Sequence, residues 1–233
     1  MNLHNAVVFI TGANRGIGLA FAKEALARGA RKVYAGARDR SSVTLAGVEA
    51  VQLDVTNPRD VAAAVARCGD VTLLVNNAGI ASFGGFMAQD SEASARNQLE
   101  TNFFGPLRLT QAFAPVLAAN GGGAVLNVLS VASWINRPLL GVYGATKSAA
   151  WALTNGLRHE LREQGTQVLG MHMGFVDTDL TKGIDMPKST PEDVVARTFD
   201  ALEAGKEEVL ADEITQQVKL GLNAEIPVYL AAL

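Results

Sequence analysis

The stretch that decides the fold is residues 6–18, which read Ala-Val-Val-Phe-Ile-Thr-Gly-Ala-Asn-Arg-Gly-Ile-Gly. The apolar run 6–10 predicts a buried strand, and a helical pattern begins directly after the glycines. Gly12, Gly16 and Gly18 would let the backbone approach the phosphates of a dinucleotide, and the start of the helix offers free N–H groups. Glycines at this spacing also occur in a plain tight turn. Their position after the first strand is what favours a pyrophosphate site.

Strand and helix patterns alternate along the rest of the chain. Strands that are apolar throughout are typical of a parallel sheet covered on both faces. The sequence therefore predicts an α/β, doubly wound fold with a parallel seven-stranded sheet, helices on both faces and a single domain over residues 1–233. The predicted strands are 6–10, 32–37, 48–53, 71–75, 124–129, 166–171 and 207–210. The main predicted helices are 16–28, 97–117 with a kink at Pro106, 142–163 and 191–204, and a loose tail is expected after Gly221.

Composition and charge exclude several classes of protein. The chain carries 20 Lys and Arg against 23 Asp and Glu, a net charge of −3 without a basic stripe for nucleic acid. The single cysteine, Cys68, permits no internal disulfide or Cys-rich metal site, and it favours a reducing compartment. No apolar run approaches the ~20 residues that span a bilayer, and the N-terminus lacks a signal-peptide pattern. We therefore expect a cytoplasmic protein with no metal, membrane or nucleic-acid partner.

Further motifs follow the glycine loop in order. Asn76-Asn77-Ala78-Gly79 ends the fourth predicted strand, Asn102 lies in a long helix, and Ser130 follows the fifth strand. Tyr143 and Lys147 form a Tyr-x-x-x-Lys motif, with Ser130 thirteen residues before the tyrosine. From residue 11 to about residue 178 the chain resembles the short-chain dehydrogenase/reductase family, of the compact single-domain type. The resemblance implies a Rossmann-type fold and a nicotinamide-dependent oxidoreductase.

The tyrosine and lysine of this motif are suited to general acid/base chemistry. Tyr143 and Lys147 are four residues apart on one helix and share a face. A free phenol has a pKa of ~10, and the nearby ammonium should lower it, which predicts a general acid/base. Ser130 can hold a carbonyl oxygen while hydride arrives at the carbon, although Ser133 is a rival for this role. The resemblance implies that Lys147 also holds the nicotinamide ribose and that Asn102 supports a water-linked proton relay. Asn102 could equally be an ordinary polar helix residue.

The end of the second predicted strand distinguishes the two nicotinamide cofactors. An NAD site places a carboxylate there, which would repel the 2′-phosphate of NADP. In this chain the position is Ala37, followed by Arg38, and Arg15 in the glycine loop offers a second cation. Two arginines suit one phosphate, so the sequence predicts NADP(H). A slip of one residue in register would instead bring Asp39 to the ribose.

Other cofactor contacts follow from the resemblance. Asp54 is placed like the family residue near the adenine, although it could equally belong to a helix-cap region. Thr178 is expected to bond the carboxamide or a phosphate. The predicted cofactor residues are Gly12, Asn14, Arg15, Gly16, Ile17, Gly18, Arg38, Asp54, Asn77, Ala78, Gly79, Tyr143, Lys147, Gly174, Val176 and Thr178.

The chain departs from the family pattern after the sixth strand, where Met173-Gly174 replaces Pro-Gly. Losing the proline frees the φ angle at Met173, and because the catalytic group is complete we expect activity to survive. The following segment, about 179–190, corresponds to the family's mobile lid, and its shortness predicts an open site. Apolar residues beside the catalytic group favour a small hydrophobic ketone or aldehyde: Trp134, Ile135, Leu139, Leu140, Val142, Phe175 and Met186.

The leading interpretation is an NADPH-dependent carbonyl reductase, running as an alcohol dehydrogenase in reverse. A non-catalytic NADP-binding regulator on the same fold would not need Ser130, Tyr143 and Lys147 together. Epimerases of this fold carry a longer substrate domain, and related enoyl reductases space the tyrosine and lysine more widely. Family habit and two long helices rich in small apolar residues predict a homo-oligomer, either a dimer or a tetramer. The apolar C-terminal residues 227–233 are expected to pack on a neighbour or over the site.

Overall fold

The structure, a computed structural model, describes residues 1–230, and within them seven strands form one parallel sheet in the order β3-β2-β1-β4-β5-β6-β7. The predicted doubly wound fold is thereby confirmed, and each strand begins and ends within two residues of its prediction. The strands are β1 (Val7–Thr11), β2 (Lys32–Ala37), β3 (Glu49–Gln52), β4 (Leu73–Asn76), β5 (Ala124–Val128), β6 (Gln167–His172) and β7 (Glu208–Leu210).

Helices cover both faces of this sheet, because alternate strand residues point to opposite sides. Val8 and Ile10 face the layer that contains Phe21 and Phe199, whereas Val7 and Phe9 face the other layer. The helices are α1 (Gly16–Ala27), α2 (Pro58–Arg67), α3 (Ser91–Leu99), α4 (Gly105–Ala119), α5 (Gly141–Glu160), α6 (Pro191–Glu203) and α7 (Glu213–Gly221). Helices α1 and α6 share the first face, and α2, α4 and α5 share the second.

The carboxyl ends of all seven strands lie at one edge of the sheet, because the strands are parallel. The strand order reverses between β1 and β4, from which the chain winds outward in both directions. Open α/β sheets bind ligands at such a switch point, outside the carboxyl ends of the strands. The glycine loop after β1 and the Asn-Asn-Ala-Gly segment after β4 both lie there.

The prediction of one helix over 97–117 was wrong in two respects, because the helical segment begins earlier and is not continuous. Helix α3 begins at Ser91, and a π-helical turn, Glu100–Phe104, separates it from α4. Pro106 lies in the first turn of α4, where it has no N–H to offer the Asn102 carbonyl four residues earlier. The irregularity therefore precedes the proline and centres on Asn102.

The C-terminal region is more ordered than the sequence predicts. Helix α7 was missed, although Asp212 and Thr215 form a reciprocal N-terminal cap for it. Beyond Gly221 the chain folds back, and the Val228 N–H donates to the Gly221 carbonyl at 3.0 Å. Tyr229 and Leu230 are exposed, and residues 231–233 of the predicted C-terminal contact lie outside the described residues. Across residues 1–230, the helices are all too short or too polar to cross a membrane.

Candidate active site

The glycine loop is shaped by the three glycines that the sequence singles out. Gly12 and Gly16 have φ angles of +65° and +53°, a region that favours glycine. A Cβ atom on Gly18 would lie 2.1 Å from the Gly12 carbonyl oxygen, so only glycine fits there. The first turn of α1 has no side-chain cap at Arg15. Its N–H groups are thus available to an anion.

The segment after β4 holds this loop in place. Thr11 Oγ1 accepts hydrogen bonds from the backbone N–H groups of Asn77 at 2.9 Å and Ala78 at 2.8 Å. Asn77 Nδ2 donates to the carbonyls of Thr11 at 2.8 Å and Gly12 at 3.2 Å. The Asn77 side chain therefore braces the loop. Sequence reasoning did not identify Thr11, whose contacts lie 66 and 67 residues away in the chain.

A cavity of about 920 Å³ extends from the glycine loop to the tyrosine and lysine of α5. It brings together most of the predicted cofactor residues: Gly12, Asn14, Arg15, Gly16, Ile17, Gly18, Arg38, Asp54, Asn77, Ala78, Gly79, Tyr143, Lys147 and Thr178. Unpredicted residues complete the wall, among them Ile80, Asn97, Thr101, Val128 and Leu180. Gly174 and Val176 lie behind this wall. A Cβ atom on Gly174 would meet Ile214 at 2.4 Å, and Val176 is buried.

Tyr143 and Lys147 lie on one face of α5, as their spacing predicts. Lys147 is buried, its Nζ donates to the Val128 carbonyl at 2.9 Å and lies 5.8 Å from the centre of the Tyr143 ring. Burial lowers the pKa of Lys147 to about 8. Burial also raises the pKa of Tyr143 to about 12, and the neighbouring Ser130 hydroxyl offsets only part of this rise. The expectation that the lysine would lower the pKa of Tyr143 below its ordinary value was wrong, because desolvation of the buried phenol is the dominant effect.

The two candidate serines lie in one short turn. Ser130 caps the 3₁₀ turn Val131–Ser133, and its Oγ accepts from the Ala132 N–H at 3.1 Å. The Ser133 Oγ instead accepts from the Ser130 N–H at 3.4 Å. Of these two side chains, that of Ser130 acts on Tyr143, because it lowers the pKa of the phenol.

Asn102 is buried beside this group, at the π-helical turn. Its Oδ1 accepts from the Ile80 N–H at 2.9 Å, and its Nδ2 donates to the Ile80 carbonyl at 2.9 Å and to Thr146 Oγ1 at 3.0 Å. Gly79 is a neighbour of this amide, because a Cβ atom on it would lie 3.4 Å from Asn102 Oδ1. The amide thus ties the segment after β4 to α5.

The region expected to hold the adenosine end of the cofactor has two arginines and two engaged carboxylates. Arg38 is exposed directly after β2. The Arg15 guanidinium pairs with Asp179 at 3.0 Å, with both side chains about two-thirds exposed. Asp39 Oδ1 accepts from the N–H and the hydroxyl of Ser41, which lowers the pKa of that carboxyl. The Asp39 carboxylate is therefore hydrogen-bonded to the turn that follows it.

Asp54 lies at the cavity and also belongs to the turn that leads into α2. It lines the cavity, and its Oδ1 also accepts from the Thr56 N–H at 2.9 Å and from the Thr56 hydroxyl at 2.7 Å. Its own N–H donates to Asp60 in the first turn of α2 at 2.9 Å.

The segment after β6 is hydrogen-bonded to Asp212, which lies in the C-terminal part of the chain. The Gly174 N–H donates to Asp212 Oδ2 at 2.6 Å, and the Met173 carbonyl accepts from the Val131 N–H at 2.8 Å. Met173 and Thr178 line the cavity, and Thr178 lies close to Gly16. Asp212 was missed because nothing local in the sequence separates it from an ordinary helix cap.

None of the seven expected apolar substrate contacts lines this cavity. Trp134 stacks on His172, Val142 is buried, and Leu139 and Met186 are exposed. Phe86, which sequence reasoning missed, packs against the position of Gly141. Its segment is joined to the catalytic side by the hydrogen bond from the Gly84 N–H to the Leu139 carbonyl at 2.8 Å.

A glycine cradle at the switch point of a parallel sheet, with a tyrosine and a lysine in the same cavity, defines the dinucleotide-binding oxidoreductase class. The short chain dehydrogenase family model matches residues 6–188. The chain therefore belongs to the short-chain dehydrogenase/reductase family, as the sequence motifs predict.

Similar proteins agree with this assignment. Dehydrogenase/reductase SDR family member 7B of Mus musculus is 30% identical over 97% of this chain and 79% of its own. A short chain dehydrogenase from Burkholderia cenocepacia, solved in complex with NADP, has a TM-score of 0.92 and 38% identity, and the match covers 97% of this chain and 95% of that one. A family protein from Burkholderia phymatum, solved in complex with NAD, has a TM-score of 0.86 at 24% identity, with both chains fully covered. The last likeness concerns the fold alone.

Proposed function

We propose that this protein is an NADPH-dependent carbonyl reductase, which transfers hydride between nicotinamide and the carbon of a ketone or aldehyde, or of the corresponding alcohol. The observation that carries the proposal is the single cavity that joins the glycine cradle to Tyr143 and Lys147. When bound, the reduced cofactor would supply the hydride. The cradle that a Cβ atom on Gly18 would fill, and the uncapped start of α1, fit its pyrophosphate.

Side chains of the protein would then stabilise the negative charge that develops on the substrate oxygen. The hydroxyl of Ser130 and the phenol of Tyr143 would hold the carbonyl oxygen, and Tyr143 would donate its proton as negative charge develops there. Because burial raises the pKa of Tyr143 to about 12, the phenol is protonated at neutral pH, which suits a proton donor. Lys147 would stabilise the phenolate that remains and hold the ribose hydroxyls. Asn102 keeps the segment after β4 against α5.

Two further features support an NADP site with a movable cover. Arg15 and Arg38 line the cavity, and Ala37 places no carboxylate at the end of β2. Asp39 lines the cavity as well, but its Oδ1 already accepts two hydrogen bonds from Ser41. Segment 179–190 begins with Asp179, whose pairing with Arg15 joins it to the glycine loop. The 2′-phosphate would compete with Asp179 for Arg15, so cofactor binding and movement of this segment would be coupled.

The direct test is the loss of NADPH absorbance with a panel of apolar ketones, aldehydes and enones. Reduction of ketones or aldehydes supports the proposal. NADPH binding without turnover across the panel would indicate the regulatory alternative, and activity on enones alone would indicate a different reaction.

The substitution Arg38→Asp is expected to move the ratio of kcat/KM for NADPH over NADH at least about tenfold toward NADH. The change removes a charge-assisted bond of about 1.5–3 kcal/mol to the 2′-phosphate. Arg40→Asp is the matched control, since Arg40 is also exposed but lies outside the cavity wall. Equal shifts in the two variants would show that general charge, and not a contact, sets the preference.

The pH profile of carbonyl reduction is expected to fall above pH 8. Burial lowers the pKa of Lys147 to about 8, so its ammonium is present below that pH and is lost above it. The phenol of Tyr143 stays protonated throughout. Measuring kcat/KM from neutral to alkaline pH tests this. Lys147→Arg, which keeps its charge, should move the fall to higher pH, and an unmoved fall would assign it to another group.

A further inference from the structure

A cluster of aromatic and charged side chains lies behind Ser130, outside the cavity. His172, the last residue of β6, is fully buried, and its Nδ1 lies 3.2 Å from the Ser130 carbonyl oxygen. Its ring stacks on the indole of Trp134, with centroids 3.9 Å apart and planes at 21°. Trp151 meets both rings edge-on, at 6.3 Å and 6.5 Å.

The hydrogen bond fixes the protonation state of the imidazole. A carbonyl oxygen can only accept, so Nδ1 must carry the proton. Burial lowers the pKa of His172 to about 4, and the ring is therefore neutral at working pH. Its Nε2 faces the Glu208 carboxylate at 3.6 Å. Lys219 neutralises that carboxylate at 2.8 Å and lies 4.7 Å from the centre of the Trp134 ring.

The two contacts of His172 act on the two ends of one turn. Ser130 starts the turn and Trp134 ends it, and between them Ser130 Oγ is held by the Ala132 N–H. Rotation of the Ser130 peptide would break the bond to His172 and move Oγ away from the Ala132 N–H. The stack on Trp134 opposes sliding of the turn along β6.

We propose that His172 is a positioning residue, which holds the turn 130–134 so that the Ser130 hydroxyl keeps its place at the end of β5. The inference rests on the proposed function, since Ser130 matters only if the site reduces carbonyls. His172 itself is not one of the residues that line the cavity.

Two substitutions separate the hydrogen bond from the stack. His172→Phe keeps an aromatic ring against Trp134 and removes the donor, and it is expected to lower kcat about tenfold with little change in the Kd for NADPH. His172→Asn keeps a donor near the position of Nδ1 and is expected to recover most of that loss. If His172→Phe fails to fold, His172→Met removes the donor at similar volume.

A double-mutant cycle with Ser130→Ala shows whether His172 acts through the serine. If it does, His172→Phe lowers kcat in the wild type but has almost no further effect when Ser130 is already Ala. A tenfold loss that persists in the Ser130→Ala background would overturn the proposal, because the effect would then be general.

A second readout needs no substrate. The Ala132 amide donates to Ser130 Oγ, so its hydrogen exchange reports the serine conformation. We expect it to exchange about tenfold faster in His172→Phe and at the wild-type rate in His172→Asn. Unchanged exchange in both would contradict the positioning role even if the wild-type protein reduced no carbonyl. If the wild-type protein reduced no carbonyl but the exchange rates changed as expected, the proposed function would be wrong and the positioning role of His172 would stand.

Discussion

Tyr143→Phe is expected to lower kcat for carbonyl reduction by about 10²–10⁴-fold, the range that a positioned general acid contributes. The substitution removes only the phenolic oxygen, which is the group that would protonate the substrate. The ring and its distance of 5.8 Å to Lys147 Nζ are retained, so the cofactor side of the site is undisturbed. Steady-state rates and a fluorescence titration with NADPH would show a fall in kcat with an unchanged Kd.

Tyr229→Phe is the matched control, because it makes the same chemical change at an exposed position near the C-terminus. It should retain full activity. Undiminished ketone reduction by Tyr143→Phe would show that the proton comes from elsewhere, and the acid/base assignment would then be wrong. A loss of NADPH binding in Tyr143→Phe would instead indicate that the tyrosine serves the cofactor.

The parts of the site that the sequence predicts are those with local spacing. Gly12 and Gly18 lie in one short glycine-rich segment after an apolar run, and Tyr143 and Lys147 lie about one helical turn apart. Regular elements convert such spacing into geometry directly. The strand positions and the doubly wound fold were predicted from alternating strand and helix patterns. Each of these patterns also lies within a short stretch of sequence.

The parts that it could not predict depend on contacts between distant residues. Asp212 reaches the Gly174 N–H from 38 positions along the chain, and Asp179 pairs with Arg15 across 164 positions. No local pattern announces either contact. The prediction of the Tyr143 pKa was wrong for a related reason. The charge of Lys147 is visible in the sequence, whereas the burial that raises the pKa of Tyr143 to about 12 exists only after folding.

Gly18→Ala is expected to weaken NADPH binding by about 10-fold or more. Its Cβ atom would lie 2.1 Å from the Gly12 carbonyl oxygen and 2.6 Å from Asn77 Nδ2. Backbone must therefore move, and the parts that move are the glycine loop and the side chain that braces it. Overpacking of this kind costs about 1–3 kcal/mol, which outweighs the ~1 kcal/mol by which alanine favours a helix over glycine.

Gly69→Ala is the control for this substitution, because a Cβ atom there meets nothing within 4 Å. Its NADPH affinity and unfolding temperature should match those of the wild type. Titration with NADPH and thermal unfolding of both variants would separate a local effect on the cradle from a general loss of stability. If Gly18→Ala bound NADPH as tightly as Gly69→Ala, the pyrophosphate could not lie over α1, and the cofactor would have to enter the cavity in another orientation.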